Sequence, residues 1–251
     1  MKKHTLAILS LSLVLAGSAY GQMGRMPGPG YNSAMAKLFG DNKTFSADVE
    51  IQSGASDENQ TTIPGKMIVD ETKSRFEMNL GDAKGGRMSP SAIQQMKAMG
   101  MEKTVTISRP DLKLAYMLYP GMSAYVATPL KEDTTKPDSF KVESTELGKE
   151  MVDGHPCIKN KVVVTDDRGK SHESTVWNAT DMKKFPVKIV TSEGGNSATL
   201  LFKNVSTSKP DAALFNPPSD YKKYDNSQTL MMEQMKKHMG GMNMPTPPNH
   251  P

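Results

Sequence analysis

Residues 145–190 read Thr-Glu-Leu-Gly-Lys-Glu-Met-Val-Asp-Gly-His-Pro-Cys-Ile-Lys-Asn-Lys-Val-Val-Val-Thr-Asp-Asp-Arg-Gly-Lys-Ser-His-Glu-Ser-Thr-Val-Trp-Asn-Ala-Thr-Asp-Met-Lys-Lys-Phe-Pro-Val-Lys-Ile-Val. Val152-Asp153-Gly154 and Asp166-Asp167-Arg168-Gly169 are hairpin-type turn signals, because glycine supplies positive φ and aspartate bonds to the backbone just ahead of it. Each is flanked by Val, Ile and Thr, so the stretch predicts three or four consecutive antiparallel strands, a meander. If the turn at 166–169 closes a regular hairpin, Cys157 lies opposite residue 178 or 179 and His172 opposite Val163 or Val164.

The pattern continues on both sides. Phe45, Ala47, Val49 and Ile51 alternate with Ser46, Asp48 and Glu50, the period-two signature of a strand with one face on a core. Met67–Val69 and Arg75–Leu80 predict a hairpin around Asp70-Glu71-Thr72-Lys73. Val105–Ser108 and Leu112–Leu118 predict another around Arg109-Pro110-Asp111. Ala124-Tyr125-Val126 begins a further edge, and Ala198–Val205 is the last strand that the pattern marks clearly. Tyr31–Phe39 predicts a short amphipathic helix, and Ser89-Pro90-Ser91 starts a second, since serine caps and proline is tolerated in the first turn. Residues 128–140 read as a long polar loop. Pro210–Phe215 predicts one helical turn that tucks Leu214 and Phe215 into the sheet. About ten short strands with frequent turns favour a mainly β fold, an open sheet or partial barrel with a few helices.

At the N-terminus, Lys2, Lys3 and His4 precede an apolar run from Leu6 to Leu15 and a small-x-small site at Ala19-Tyr20-Gly21. This is the grammar of a cleavable export signal, residues 1–21. The run is shorter than the roughly 20 residues of a membrane span. Ser18 stands where a lipobox needs cysteine, so a periplasmic product without a lipid anchor is expected. Residues 22–30 form a Gly/Pro leader, 31–225 one domain, and 226–251 a Met-rich tail. Formal charge is +4 over 251 residues and +2 once Lys2 and Lys3 are removed, with no clustered basic face, which argues against nucleic acid. The single cysteine, Cys157, forbids an internal disulfide and reads as a buried thiol.

Taken as a set, Glu146-x-Gly148-x-Glu150-x-Val152-Asp153-Gly154-His155-Pro156-Cys157, Val176-Trp177-x-Ala179-x-Asp181, Phe185-Pro186-Val187-Lys188 and Leu214-Phe215-x-x-Pro218-x-x-Tyr221 resemble a family of secreted bacterial domains of unknown function. That family is grouped with the LolA/LolB-like periplasmic lipoprotein carriers, and the resemblance covers most of residues 45–224. It implies a curved antiparallel sheet, an incomplete β-barrel, with short helices on the concave side over an apolar cavity for acyl chains. Met96, Met99, Met101, Leu118 and Trp177 are the candidate lining residues, although the preferred readings are a core anchor for Trp177 and an ordinary core lid for the 93–101 helix. The implied partners are a lipid or a lipoprotein acyl chain, with a membrane-associated protein as a further class. No cofactor and no catalytic residue is implied.

Three other chemistries are weighed. His155 and Cys157 share a strand face at i, i+2, but His172 falls roughly 20 Å away on the predicted register, too far for a common metal site. Cys157 as a nucleophile needs a base and an oxyanion donor, and the sequence places neither. On a helical tail, Met231, Met235, His238 and Met239 share one side. Thioether and imidazole donors there suit Cu(I), while the plainer reading is methionine used as an adaptable packing surface. The leading expectation is a non-catalytic binding protein for an apolar ligand. The alternatives are a copper-binding exported protein and a structural or partner-binding domain whose cavity is filled.

Overall fold

The computed structural model describes residues 33–54, 60–85, 89–130, 140–165, 169, 171–193 and 196–240. The predicted signal and leader, most of the 128–140 loop, the 166–168 turn and the last eleven residues of the tail lie outside them. Among the described residues one sheet of thirteen strands dominates. In chain order these are β1 (Thr44–Ser53), β2 (Thr61–Asp70), β3 (Lys73–Asn79), β4 (Lys84–Gly85), β5 (Lys103–Arg109), β6 (Leu114–Tyr119), β7 (Ala124–Pro129), β8 (Lys141–Val152), β9 (His155–Thr165), β10 (Ser171–Ala179), β11 (Phe185–Glu193), β12 (Asn196–Ser206) and β13 (Lys222–Tyr224). Three helices accompany them: α1 (Ser33–Leu38), α2 (Pro90–Ala98) and α3 (Ser227–Gly240).

The sheet runs β13-β7-β6-β5-β3-β2-β1-β12-β11-β10-β9-β8, with β4 attached to β2. Its ends do not pair, so it is open rather than a closed barrel. The predicted meander is present as β8–β11, and its register places Cys157 opposite Ala179 and His172 opposite Val164, as the turn spacing requires. Asp153 and Gly154 turn with φ of 50° and 84°, the left-handed pair that a two-residue hairpin loop needs.

The open, mainly antiparallel sheet is as expected, and details of it are corrected. The sheet is not wholly antiparallel, because β13 joins β7 in a parallel ladder, Lys222 to Ala124 through Tyr224 to Val126. For the same reason β7 is not an edge, and a short strand follows β12. The turn at Ala212–Phe215 buries Phe215 only, while Leu214 faces out. Two adjacent side chains on one tight turn point in different directions, and the sheet can hold only one of them.

The alternation of β1 buries Phe45, Ala47, Val49 and Ile51, as the period predicts. Phe39, just past α1, stacks on Phe45 with centroids 4.9 Å apart and meets Phe185 and Phe202 edge-on at 5.5 Å. Phe45 and Phe185 touch at 5.0 Å although their strands are two places apart, roughly 10 Å on a flat sheet. The resulting core runs from Phe76 on β3 to Val164 on β9.

A second cluster lies on the other side of the β2–β7 half. Met67 and Val69 point into the main core, so Ile68 between them points away, where it joins Val105, Ile107, Leu118 and Phe215. The chain after β12 crosses this side and inserts Phe215 and Tyr221. It then passes along the edge as β13 and continues into α3, whose Leu230 is fully buried with Ala124, Val126 and Tyr224. Residues 207–240 thus form a strap around the β7 end of the sheet.

Candidate ligand-binding face

Cross-strand neighbours share a face, so the ladders define rows of side chains. One row runs Ala47–Met67–Phe76–Thr106–Met117–Val126–Tyr224 across seven strands. Both ends are buried, in the main core at Ala47, Met67 and Phe76 and under α3 at Val126 and Tyr224. Its middle is open: Thr106 is half-buried and Met117 is 37% exposed. On the neighbouring rows, Met78 faces Thr104, and Ser74, Ser108 and Ala115 follow one another. A gap therefore lies over β5 and β6 between two apolar clusters on one side of the sheet.

Charge is distributed unequally about this gap. The charged residues of β3, β5, β6 and β7 are Lys73, Arg75, Glu77, Lys103 and Arg109, and all five stand at alternate positions projecting from the opposite side. There they serve the fold. Arg75 donates to Glu77 (2.7 Å) and to the Leu214 carbonyl (3.0 Å), and Lys103 bridges Glu77 at 2.9 Å. Burial alone raises the Glu77 carboxyl, but the hydrogen bonds from Lys103 and Arg75 outweigh it and hold Glu77 below the ordinary carboxylate value. The gap side carries only Ser, Thr, Ala, Met, Phe, Tyr and Val. A strand face built for water alone normally includes Lys or Glu, as β8 does on both sides.

One close contact seats the end of α2 against the β6–β7 turn. Ser89 caps α2, accepting from the Ala92 amide at 3.2 Å, and just past the helix Gly100, with φ of 68°, turns the chain back. Gly100 abuts Gly121 in the β6–β7 turn so closely that a Cβ on Gly121 would lie 2.7 Å from the Gly100 Cα. Met99 and Met101, half-buried on either side of Gly100, are thereby placed beside that turn. Tyr119, pairing with Ala124, closes the same end, and burial pushes its hydroxyl pKa up.

The residues singled out from sequence do not come together. Met96 is buried beneath α2. Leu118 is buried on the opposite side, in the Phe215 cluster. Trp177 is in the main core, donating to Glu150, with the Lys188 and Lys159 ammonium groups 4.6 and 5.0 Å from its ring centre. On α3, Met231 packs on the Leu230 cluster, whereas Met235 faces out. The side chains of His238 and Met239 lie outside the described set. Sequence reading passed over Met117, Thr106 and Met78. The signal for them was present as the uncharged alternate positions Thr104, Thr106 and Ser108 on one strand and Ala115, Met117 and Tyr119 on the next.

Two clefts lie along β2 and its neighbours, and the smaller one reaches Met78. They measure about 540 and 190 Å³, share Pro64 and Asp82, and are rimmed by Glu50, Lys84, Lys66, Glu77 and Lys103. Such charged rims do not suit an apolar chain, so the uncharged face is the better candidate.

Among the described residues no group of three His, Cys, Asp or Glu side chains is placed to hold a metal. His155 Nδ1 lies 2.9 Å from Asp181 Oδ2. Burial raises the Cys157 thiol above its usual pKa, and its Sγ donates to the His155 carbonyl at 3.4 Å. Among the described residues no helix is long and apolar enough to cross a membrane.

No family model and no curated protein matches the chain. Among solved structures it is similar to the Mycobacterium tuberculosis lipoprotein LppX, with a TM-score of 0.40 and 13% identity over 71% of this chain and 96% of that one. It is also similar to LprF from Mycobacterium bovis (TM-score 0.39, 15% identity, 76% and 94% covered). A third is a LolA-superfamily protein from Nitrosomonas europaea (TM-score 0.37, 8% identity, 73% and 94% covered), the grouping that the motifs between Glu146 and Tyr221 resemble.

Proposed function

We propose that this chain is an exported, non-catalytic binding protein that holds an acyl chain or similar apolar ligand on the uncharged face over β5 and β6. The observation that carries the reading is the segregation of charge. Of four neighbouring strands, β3 and β5 send all five of their charged side chains to one side, β6 and β7 carry none, and Met117 is left exposed on the other side between two buried apolar clusters. The open row provides an apolar floor, and the methionines give it adaptability to chains of different shape. Met99 and Met101 form one rim and α3 the other. Each methylene removed from water there contributes about 0.8 kcal/mol, so a ligand needs no covalent step to be retained. The buried thiol of Cys157, held by a backbone carbonyl, fits a structural role.

The test is native mass spectrometry of the mature protein purified gently from its periplasm, followed by titration with a fluorescent fatty acid. A stoichiometric apolar adduct, and saturable uptake that Met117→Asp abolishes, is the expected result. A clean apo mass together with no uptake would sink the reading.

A further inference from the structure

The gap is not lined by hydrocarbon alone. Along β5 the side chains facing it are Thr104, Thr106 and Ser108, with Val105 and Ile107 buried on the other side. Threonine keeps the β-branched shape that suits a strand but adds a hydroxyl that valine would lack. Successive hydroxyls on one strand face stand roughly 6.7 Å apart. Among the described residues Thr106 Oγ1 donates to the Met117 thioether alone, at 3.6 Å, and sulfur is a weak acceptor. The side chains of Thr104 and Ser108 make no hydrogen bond among the described residues. The floor of the gap is thus a line of hydroxyl donors flanked by Met78 and Phe76 on one side and Met117 on the other.

We infer that the ligand is an acyl ester or amide, not a bare hydrocarbon, and that its carbonyl oxygens accept hydrogen bonds from the β5 hydroxyls while its chains lie over Met78 and Met117. This rests on the binding reading given above and names the chemistry that the site selects. An ester carbonyl is a much better acceptor than the Met117 sulfur, so Thr106 gains by rotating to it. A pure hydrocarbon would cover the hydroxyls without satisfying them, which burial penalises.

The discriminating pair is 1-monopalmitoylglycerol and 1-O-hexadecylglycerol, which share headgroup and chain length and differ in the ester carbonyl. Titration of the mature full chain by calorimetry should show the ester bound about tenfold more tightly, the scale expected of one or two neutral hydrogen bonds. The near-isosteric variant Thr104→Val/Thr106→Val/Ser108→Ala should lose that preference and keep its affinity for the ether. Equal binding of ester and ether by the wild type, or a preference that survives in the triple variant, would overturn the inference while leaving the apolar site intact. Failure of the wild type to bind either compound would overturn the site itself, and this inference with it.

Discussion

Arg109 reaches from the end of β5 to the backbone of the strap and donates through Nη1 to the Phe215 carbonyl at 3.2 Å. The same guanidinium is aligned by a two-point pairing with Asp111, Nε to Oδ1 at 2.9 Å and Nη2 to Oδ2 at 2.8 Å. With Arg75 on the Leu214 carbonyl, two arginines fix a single turn of chain, and the turn in turn drives Phe215 into the Ile107 and Leu118 cluster. The strap therefore gives the β5–β7 half a core of its own, on the side opposite the open face.

Neighbouring substitutions on that turn should differ sharply. Phe215→Ala should cost about 3–5 kcal/mol, the cost of emptying an aromatic site in a core. Leu214→Ala, at an exposed position, should stay within about 0.5 kcal/mol. Arg109→Met keeps much of the apolar stem but removes a charged donor from the Phe215 carbonyl, and about 1–3 kcal/mol is expected. Urea denaturation of the three variants checks the order, and equal effects at 214 and 215 would contradict the placement of the turn.

A second expectation concerns the seat of α2. Because a Cβ on Gly121 would fall 2.7 Å from backbone atoms of Gly100, Gly121→Ala must push the end of α2 away from the β6–β7 turn. The clash is backbone against side chain and no rotamer relieves it. The substitution should lower stability by about 1–3 kcal/mol and raise amide exchange at Met99–Met101, read by hydrogen–deuterium exchange.

The strap's helix should respond to acid. Hydrogen bonds from Lys222, the largest influence, and then Tyr224 hold the Glu233 carboxyl down to about 2 from the ordinary 4.5. A carboxyl whose pKa is depressed by folding stabilises the docked helix above its unfolded value and loses that contribution as pH falls through its folded value. Docking of α3 should thus be unchanged from neutrality to about pH 4.5 and weaken between there and about pH 2. In Glu233→Gln this pH step should vanish, with protection of the Thr229–Glu233 amides as the readout. A step that persists in the variant would assign it to another group.

Much of the central architecture was legible because it follows from local rules. The turn at Val152-Asp153-Gly154 and the spacing to Gly169 fix the β8–β10 register, and the Phe45–Ile51 alternation fixes the inner side of β1. What was not legible depended on distant partners. Lys222-Lys223-Tyr224 is a strand only because β7 offers an open ladder beside it, and three residues with two lysines carry no period of their own. The sequence-chosen lining residues do not share one face for a related reason. Leu118 and Trp177 were natural lining candidates as large apolar residues, but size and hydropathy do not say which side of a sheet is covered. The strap covers the Leu118 side, leaving the modest face of Thr106 and Met117 open. Only the register between β3, β5, β6 and β7, which brings their uncharged positions into rows, makes that face visible.

The thiol of Cys157 provides the last test. Burial raises its pKa above the usual 9.0, the carboxylates of Asp181 and Glu150 act in the same direction, and its proton is directed to the His155 carbonyl. A nucleophilic cysteine needs the opposite surroundings, with a positive group or a helix N-terminus lowering the pKa and a route for the reagent. Cys157 in the folded protein should therefore react with a disulfide reagent such as Ellman's at least about a hundredfold more slowly than in urea at pH 7.5, in proportion to how rarely the site opens. Cys157→Ala should cost about 1 kcal/mol and leave fatty-acid uptake unchanged. Rapid labelling of the native thiol at neutral pH, or loss of uptake in a variant that still folds, would make Cys157 a functional residue and move attention from the open face to the His155–Asp181 corner.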